Sequence, residues 1–93
     1  MKPDSGHIID SLGWVYYKKG LYDKAVQELG KAIRKMPQDA TVAEHLGDVY
    51  LKQRRPREAL ELYRRALNLE NPDLPRLRKK IQDLELQLQK QAL

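Results

Sequence analysis

Ser11-Leu12-Gly13-Trp14-Val15-Tyr16-Tyr17-Lys18 returns 34 residues later as His45-Leu46-Gly47-Asp48-Val49-Tyr50-Leu51-Lys52. Leucine, glycine, valine, tyrosine and lysine recur in the same order, and the match extends outward to Ala25/Ala59, Ala32/Ala66 and Asp39/Asp73. Of the eight identities, six fall at small, apolar or tyrosine positions and two, Lys18/Lys52 and Asp39/Asp73, at charged ones, with Ile8/Val42, Asp10/Glu44, Val26/Leu60 and Ile33/Leu67 conservative. A fixed period of this length is the signature of a repeat architecture in which each unit is one supersecondary element.

Each unit reads as two helices. Ile8, Ile9, Leu12, Val15 and Tyr16 recur at spacings of three and four, which predicts a helix from His7 to Lys19. Gly20 breaks it. Ala25, Val26, Leu29, Ala32 and Ile33 predict a second helix from Tyr22 to Met36, closed by Pro37. The second unit repeats this over Thr41–Gln53 and Pro56–Leu69, Pro56 suiting a first helical turn because its missing N–H costs nothing there. Arg54-Arg55 stands where Gly20 stands, so the second turn closes without glycine. Gly13 and Gly47 lie in mid-helix, where glycine costs about 1 kcal/mol relative to alanine. Their recurrence implies close helix–helix approach, with Leu12 and Tyr16 turned to the core beside Ile9.

The ordered set Ile9, Leu12-Gly13, Tyr16, Ala25, Leu29, Ala32, Pro37, then Ala43, Leu46-Gly47, Tyr50, Ala59, Tyr63, Ala66, resembles two tetratricopeptide repeats. Its second closing proline is displaced by one residue, to Pro72. The resemblance implies an all-α, right-handed solenoid of antiparallel helix pairs, five helices in all. Its parts are a joint or tail over residues 1–5, repeats over 6–39 and 40–73, and a capping helix over 74–93. Leu74, Leu77, Ile81, Leu84 and Leu88 form that last helix's apolar stripe, and a 34-residue register sets Ile81 where Gly13 and Gly47 fall. Because Pro3-Asp4 precedes Pro37 by one period, the chain is expected to be a piece of a longer bacterial repeat protein.

Chemistry has little to stand on. Cysteine is absent, which excludes disulfides and thiolate sites. His7 and His45 have no ligand spacing, and Ser5, Ser11 and Thr41 stand in no nucleophile or phosphate-loop context. The expectation is a protein that is not an enzyme and has no metal site or cofactor. No apolar run is long enough to span a membrane. Lack of cysteine suits a reducing cytosol, though it also suits the periplasm.

Binding is what the resemblance implies, on a concave face lined by the first helix of each pair. The expected partner-binding residues are Asp10, Trp14, Tyr17 and Lys18, then Glu44, His45, Asp48, Leu51 and Lys52. Trp14 and Tyr17 form an aromatic platform, and Asp10, Glu44 and Asp48 make the groove acidic. Some relatives clamp acidic chaperone tails, but the matching places here are Asp10, Trp14, His45, Pro75 and Lys79, of which only Lys79 fits. The expected partner is therefore a protein or peptide with basic and apolar groups.

The +5 net charge of the 93 residues sits elsewhere: +2 in the first unit, zero in the second, +3 in residues 74–93. Arg54-Arg55-Pro56-Arg57, Arg64-Arg65 and Arg76-x-Arg78-Lys79-Lys80 make an anionic surface or nucleic acid the alternative partner, nucleic acid being disfavoured because no aromatics interleave the clusters. Self-association is the other alternative, through Ile8 and Val15 or through Leu86 and Leu93.

Overall fold

A computed structural model describes residues 5–92, and the joint over 1–5 and Leu93 fall wholly or partly outside them. Five helices follow in order: α1 (Gly6–Lys18), α2 (Tyr22–Lys35), α3 (Ala40–Lys52), α4 (Pro56–Ala66) and α5 (Leu74–Ala92). α1 packs on α2 and α3 on α4 as hairpins, α2 joins the hairpins by packing on α3, and α5 covers α4. This is an all-α repeat solenoid.

Each hairpin closes on its glycine. A Cβ on Gly13 would stand 2.7 Å from Leu29 Cγ, and one on Gly47 would stand 2.6 Å from Tyr63 Cε1. Leu29 and Tyr63 are fully buried, so neither can yield. The close approach expected from the glycines is present. Its partner residue is the large side chain one turn beyond Ala25 or Ala59.

The turns differ in how they meet the left-handed region. Gly20 has φ +79°, and Arg54, one period later, has φ +61°. Arg55 then stacks on Tyr50, its guanidinium 4.6 Å from the ring centre, and bonds Glu58. Asp39 caps α3 by accepting from the Val42 N–H at 3.1 Å. Asp73 does the same for α5 through the Arg76 N–H. The two inter-repeat joints pair with each other: Glu70 donates its N–H to the Gln38 carbonyl at 2.8 Å, and Ala40 donates to the Glu70 carbonyl.

Three sequence expectations change. α4 stops at Ala66 rather than Leu69, because the chain tightens into i→i+3 bonds from Asn68 to Arg65 and from Leu69 to Ala66. α5 consequently sits one residue further on. Val42, Leu46 and Val49 cluster with Ala32, Ala25 and Leu29, whereas Leu77, Ile81 and Leu84 cluster with Ala59, Tyr63 and Ala66. The step is 35 residues, so Ile81 stands where Leu46 stands and Gln82 takes the glycine position. The third change concerns Leu12, which is exposed rather than in the core, with Tyr16 only half-buried. Leu46, its counterpart, is buried because α2 lies over it, whereas Leu12 joins none of the buried clusters among the described residues.

Gly47→Ala is expected to destabilise the fold by about 1–3 kcal/mol through overpacking against Tyr63. Gly30→Ala, whose new Cβ meets only the tip of Arg34 at 3.8 Å, is expected to stabilise it by up to about 1 kcal/mol. Urea denaturation of the two variants checks both signs.

Candidate functional site

α1, α3 and α5 supply one face of the solenoid, and the expected binding residues of α1 and α3 meet there in two groups. The first is an aromatic ladder. Trp14 lies between Tyr17, centroids 4.6 Å apart and planes 17° apart, and His45, at 4.2 Å and 27°. Tyr22 extends the ladder from Tyr17 at 6.0 Å. His45 Nδ1 donates to Asp10 Oδ1 at 2.9 Å, tying α3 to α1. Lys18 holds its ammonium 5.3 Å from the Trp14 ring centre. Trp14, Tyr17 and His45 are all half-buried, so their edges remain open. Both Trp14 faces are covered from within the chain. The expected flat platform is therefore a ladder presenting edges, each stacked pair contributing about 0.5–1.5 kcal/mol beyond its buried area.

The second group is an ion cluster that the sequence reading missed. Glu44 is held by Arg76 Nε and Nη2 at 2.6 and 2.7 Å and by Lys80 Nζ at 2.6 Å. Lys80 also donates to both Asp48 oxygens, at 3.0 and 3.2 Å. Asp48 accepts in addition from the Tyr63 hydroxyl. Arg76 further bonds Asp73 at 2.9 Å.

Burial alone would raise the Glu44 pKa, but the hydrogen bonds and charges of Arg76 and Lys80 outweigh it and hold the carboxyl below its usual range. Burial works against the Lys80 ammonium in the same way, and Glu44 and Asp48 overcome it, raising its pKa. Tyr63 is pushed well up, by burial first and by its bond to Asp48 second. Tyr17 rises as well, again by burial and then by the Asp48 charge.

This cluster corrects the expected character of the groove. Glu44 has only 4 % side-chain exposure and is saturated, so it backs the groove instead of lining it. Asp48 is occupied by Lys80 and Tyr63, and Asp10 by His45. The acidic groove is neutralised from inside, largely by α5. What stays open is the edges of Trp14 and Tyr17, the half-buried Leu51 and His45, and the exposed Lys18 and Lys52. The basic segment 76–80 is also divided: Arg76 and Lys80 turn to α3, while Lys79 bonds Asp83 on its own helix. Among the described residues there is no group of three or more His, Asp or Glu arranged to hold a metal ion. No described helix is long and apolar enough to cross a membrane.

Stacked helical hairpins, a glycine closing each and a partly exposed aromatic ladder on the first-helix face define a helical-repeat scaffold. A family profile described as tetratricopeptide repeat matches residues 11–75, and the chain belongs to that family. A protein of Pseudomonas aeruginosa named as TPR repeat-containing is 40% identical over 48 residues, which is 52% of this chain and 8% of that protein. The chain thus matches less than a tenth of that relative's length. Repeats of this family generally act as non-catalytic protein–protein interaction modules.

Glu44 is more acidic folded than unfolded, so its contribution to stability is present above the unfolded carboxyl pKa, about 4.3. It is lost as pH falls through the lower folded value. Acid unfolding of the wild type is expected to steepen below about pH 4.3, and Glu44→Gln should flatten that limb; matched thermal melts across this range check it.

Proposed function

We propose that the α1–α3 face binds a peptide or partner-protein segment, with Trp14 and Tyr17 as the anchors. One observation carries this reading. Trp14 is already stacked on both faces in the free protein and still presents an open edge. A rigid, half-exposed aromatic loses little entropy on binding, and such residues dominate interface energetics. Leu51 adds apolar area one period beyond Tyr17, and Lys18 and Lys52 flank the ladder as exposed cations. Asp10, His45, Glu44 and Asp48 act from behind, orienting the ladder and α3.

Internal neutralisation of Glu44 and Asp48 removes the reason to expect a strongly basic ligand. The proposed ligand is chiefly apolar or aromatic, held by shape and by hydrogen bonds to the ladder's edges. It is not a chaperone tail, since the matching clamp positions are not filled. The alternative of an anionic surface or nucleic acid is weakened by pairing of its cations: Arg55 with Glu58, Arg64 with Glu85, Arg76 and Lys80 with Glu44.

Trp14→Ala is expected to reduce partner capture from lysate of the source cells about 30-fold or more, as loss of a 2 kcal/mol anchor would. Far-UV circular dichroism should stay unchanged. Undiminished capture by a folded Trp14→Ala protein contradicts the reading. Capture that falls steeply with salt and survives Trp14→Ala favours the basic face.

A further inference from the structure

α2 and α4 flank a trough floored by Leu46 and Tyr50 of α3. Two adjoining recesses of about 350 and 470 Å³ make it up, and Gly30 and Arg34 line both. Ile33 and Leu62 add apolar wall on either side. Gly30 sits in the middle of α2, where a glycine weakens the helix. Nothing in the described chain takes up the space it leaves: a Cβ there would meet only Arg34 Nη1, at 3.8 Å. Gly13 and Gly47 each admit a neighbouring side chain, and Gly30 admits none. That same contact sets the Arg34 guanidinium over the open glycine. Arg65 lines the trough from α4, and among the described residues neither arginine has a carboxylate partner, whereas Arg55, Arg64 and Arg76 each do.

We propose that this trough docks an amphipathic helix of a partner protein, with leucine-type side chains over Leu46 and Tyr50 and an Asp or Glu one turn further on between Arg34 and Arg65. Val26, Gly30 and Ile33 follow at spacings of four and three, so the outer ridge of α2 dips at its centre and a crossing helix can approach closely there. From Val26 to Arg34 the trough runs about 12 Å, two turns of such a helix. Two guanidinium groups on opposite walls suit a carboxylate, which each can meet with paired N–H donors. Glu58 and Glu61 line the same wall as Arg65, so a dense polyanion would meet carboxylates beside the arginines, and a single acid among apolar side chains would not. Both walls and the floor belong to this chain, so a repeat stacked on α1 or on α5 would lengthen the trough and leave it open. A second copy supplies no such helix: α5 bears the exposed Leu86, but its acids Asp83 and Glu85 are bonded to Lys79 and Arg64. The trough shares no residue with the ladder of Trp14, Tyr17 and His45 and stands or falls independently of it.

The probe is an N-acetylated, alanine-based helical peptide with leucine at its fifth and ninth positions, glutamate at its twelfth and lysines on the opposite face for solubility. It is titrated into the methyl- and amide-labelled protein and followed by NMR. Saturable shifts are expected at the Ile33, Leu46 and Leu62 methyls and the Arg34 and Arg65 side-chain Nε–H signals, leaving the Trp14 indole unmoved. Gly30→Leu in the protein should abolish them by filling the trough, and because a Cβ there meets only the tip of Arg34 its melting temperature should not fall. Glutamine for glutamate in the peptide should weaken binding at least threefold, and should cost nothing further against an Arg34→Gln, Arg65→Gln protein. Absence of shifts at millimolar peptide overturns the proposal, as do shifts that survive Gly30→Leu, shifts confined to the ladder, or equal binding of the glutamine peptide. Concentration-dependent shifts of the same methyls without peptide would overturn it in favour of a second copy.

Discussion

The contact between Gly47 and the ring of Tyr63 is the constraint on which the rest of the structure depends. Because Gly47 has no side chain, α4 approaches α3 closely enough for the ring to lie on the α3 backbone. That approach brings the Tyr63 hydroxyl to Asp48 on the face opposite the core. Asp48 then fixes Lys80, Lys80 bonds Glu44, and Glu44 holds Arg76. One aromatic side chain thus links the apolar packing of the second hairpin to the polar lining of the groove. In the first hairpin the glycine meets Leu29, which has no hydroxyl, and the groove there is built by stacking instead.

The side chains of α3 divide their work. Its carboxylates are spent on holding α5, and its His45 on holding Trp14. Charged groups that look free in a linear sequence become internal structure, and what this face leaves open is aromatic edges and the exposed Lys18 and Lys52.

Most of the fold was legible because the evidence for it is local. The three-and-four spacing of Ile9, Leu12 and Tyr16 needs only helix geometry, and the paired Gly13/Gly47 points to close approach without any knowledge of the partner residue. The groove was less legible. Pairing of Glu44 with Arg76 and Lys80 spans 32 and 36 residues and depends on the rotation of α5, which one extra residue near Pro72 changes by about 100°. The displaced proline was the available signal, and a 35-residue step drawn from it would have placed Leu77 and Ile81 over α4 directly. Leu12 was misread for a different reason: its pattern is that of a core residue, but burial at that position comes from a neighbouring hairpin and not from its own.

Tyr63 joins core packing and groove electrostatics into one unit. A double-mutant cycle of Tyr63→Phe and Lys80→Met, measured by urea denaturation, tests it directly, since each change removes one link of the chain through Asp48 and preserves side-chain bulk. A coupling energy of about 1 kcal/mol or more is expected, within the range found for residues that share a partner. Strictly additive effects would contradict it, and would mean that the groove's ion cluster and the hairpin core are stabilised independently.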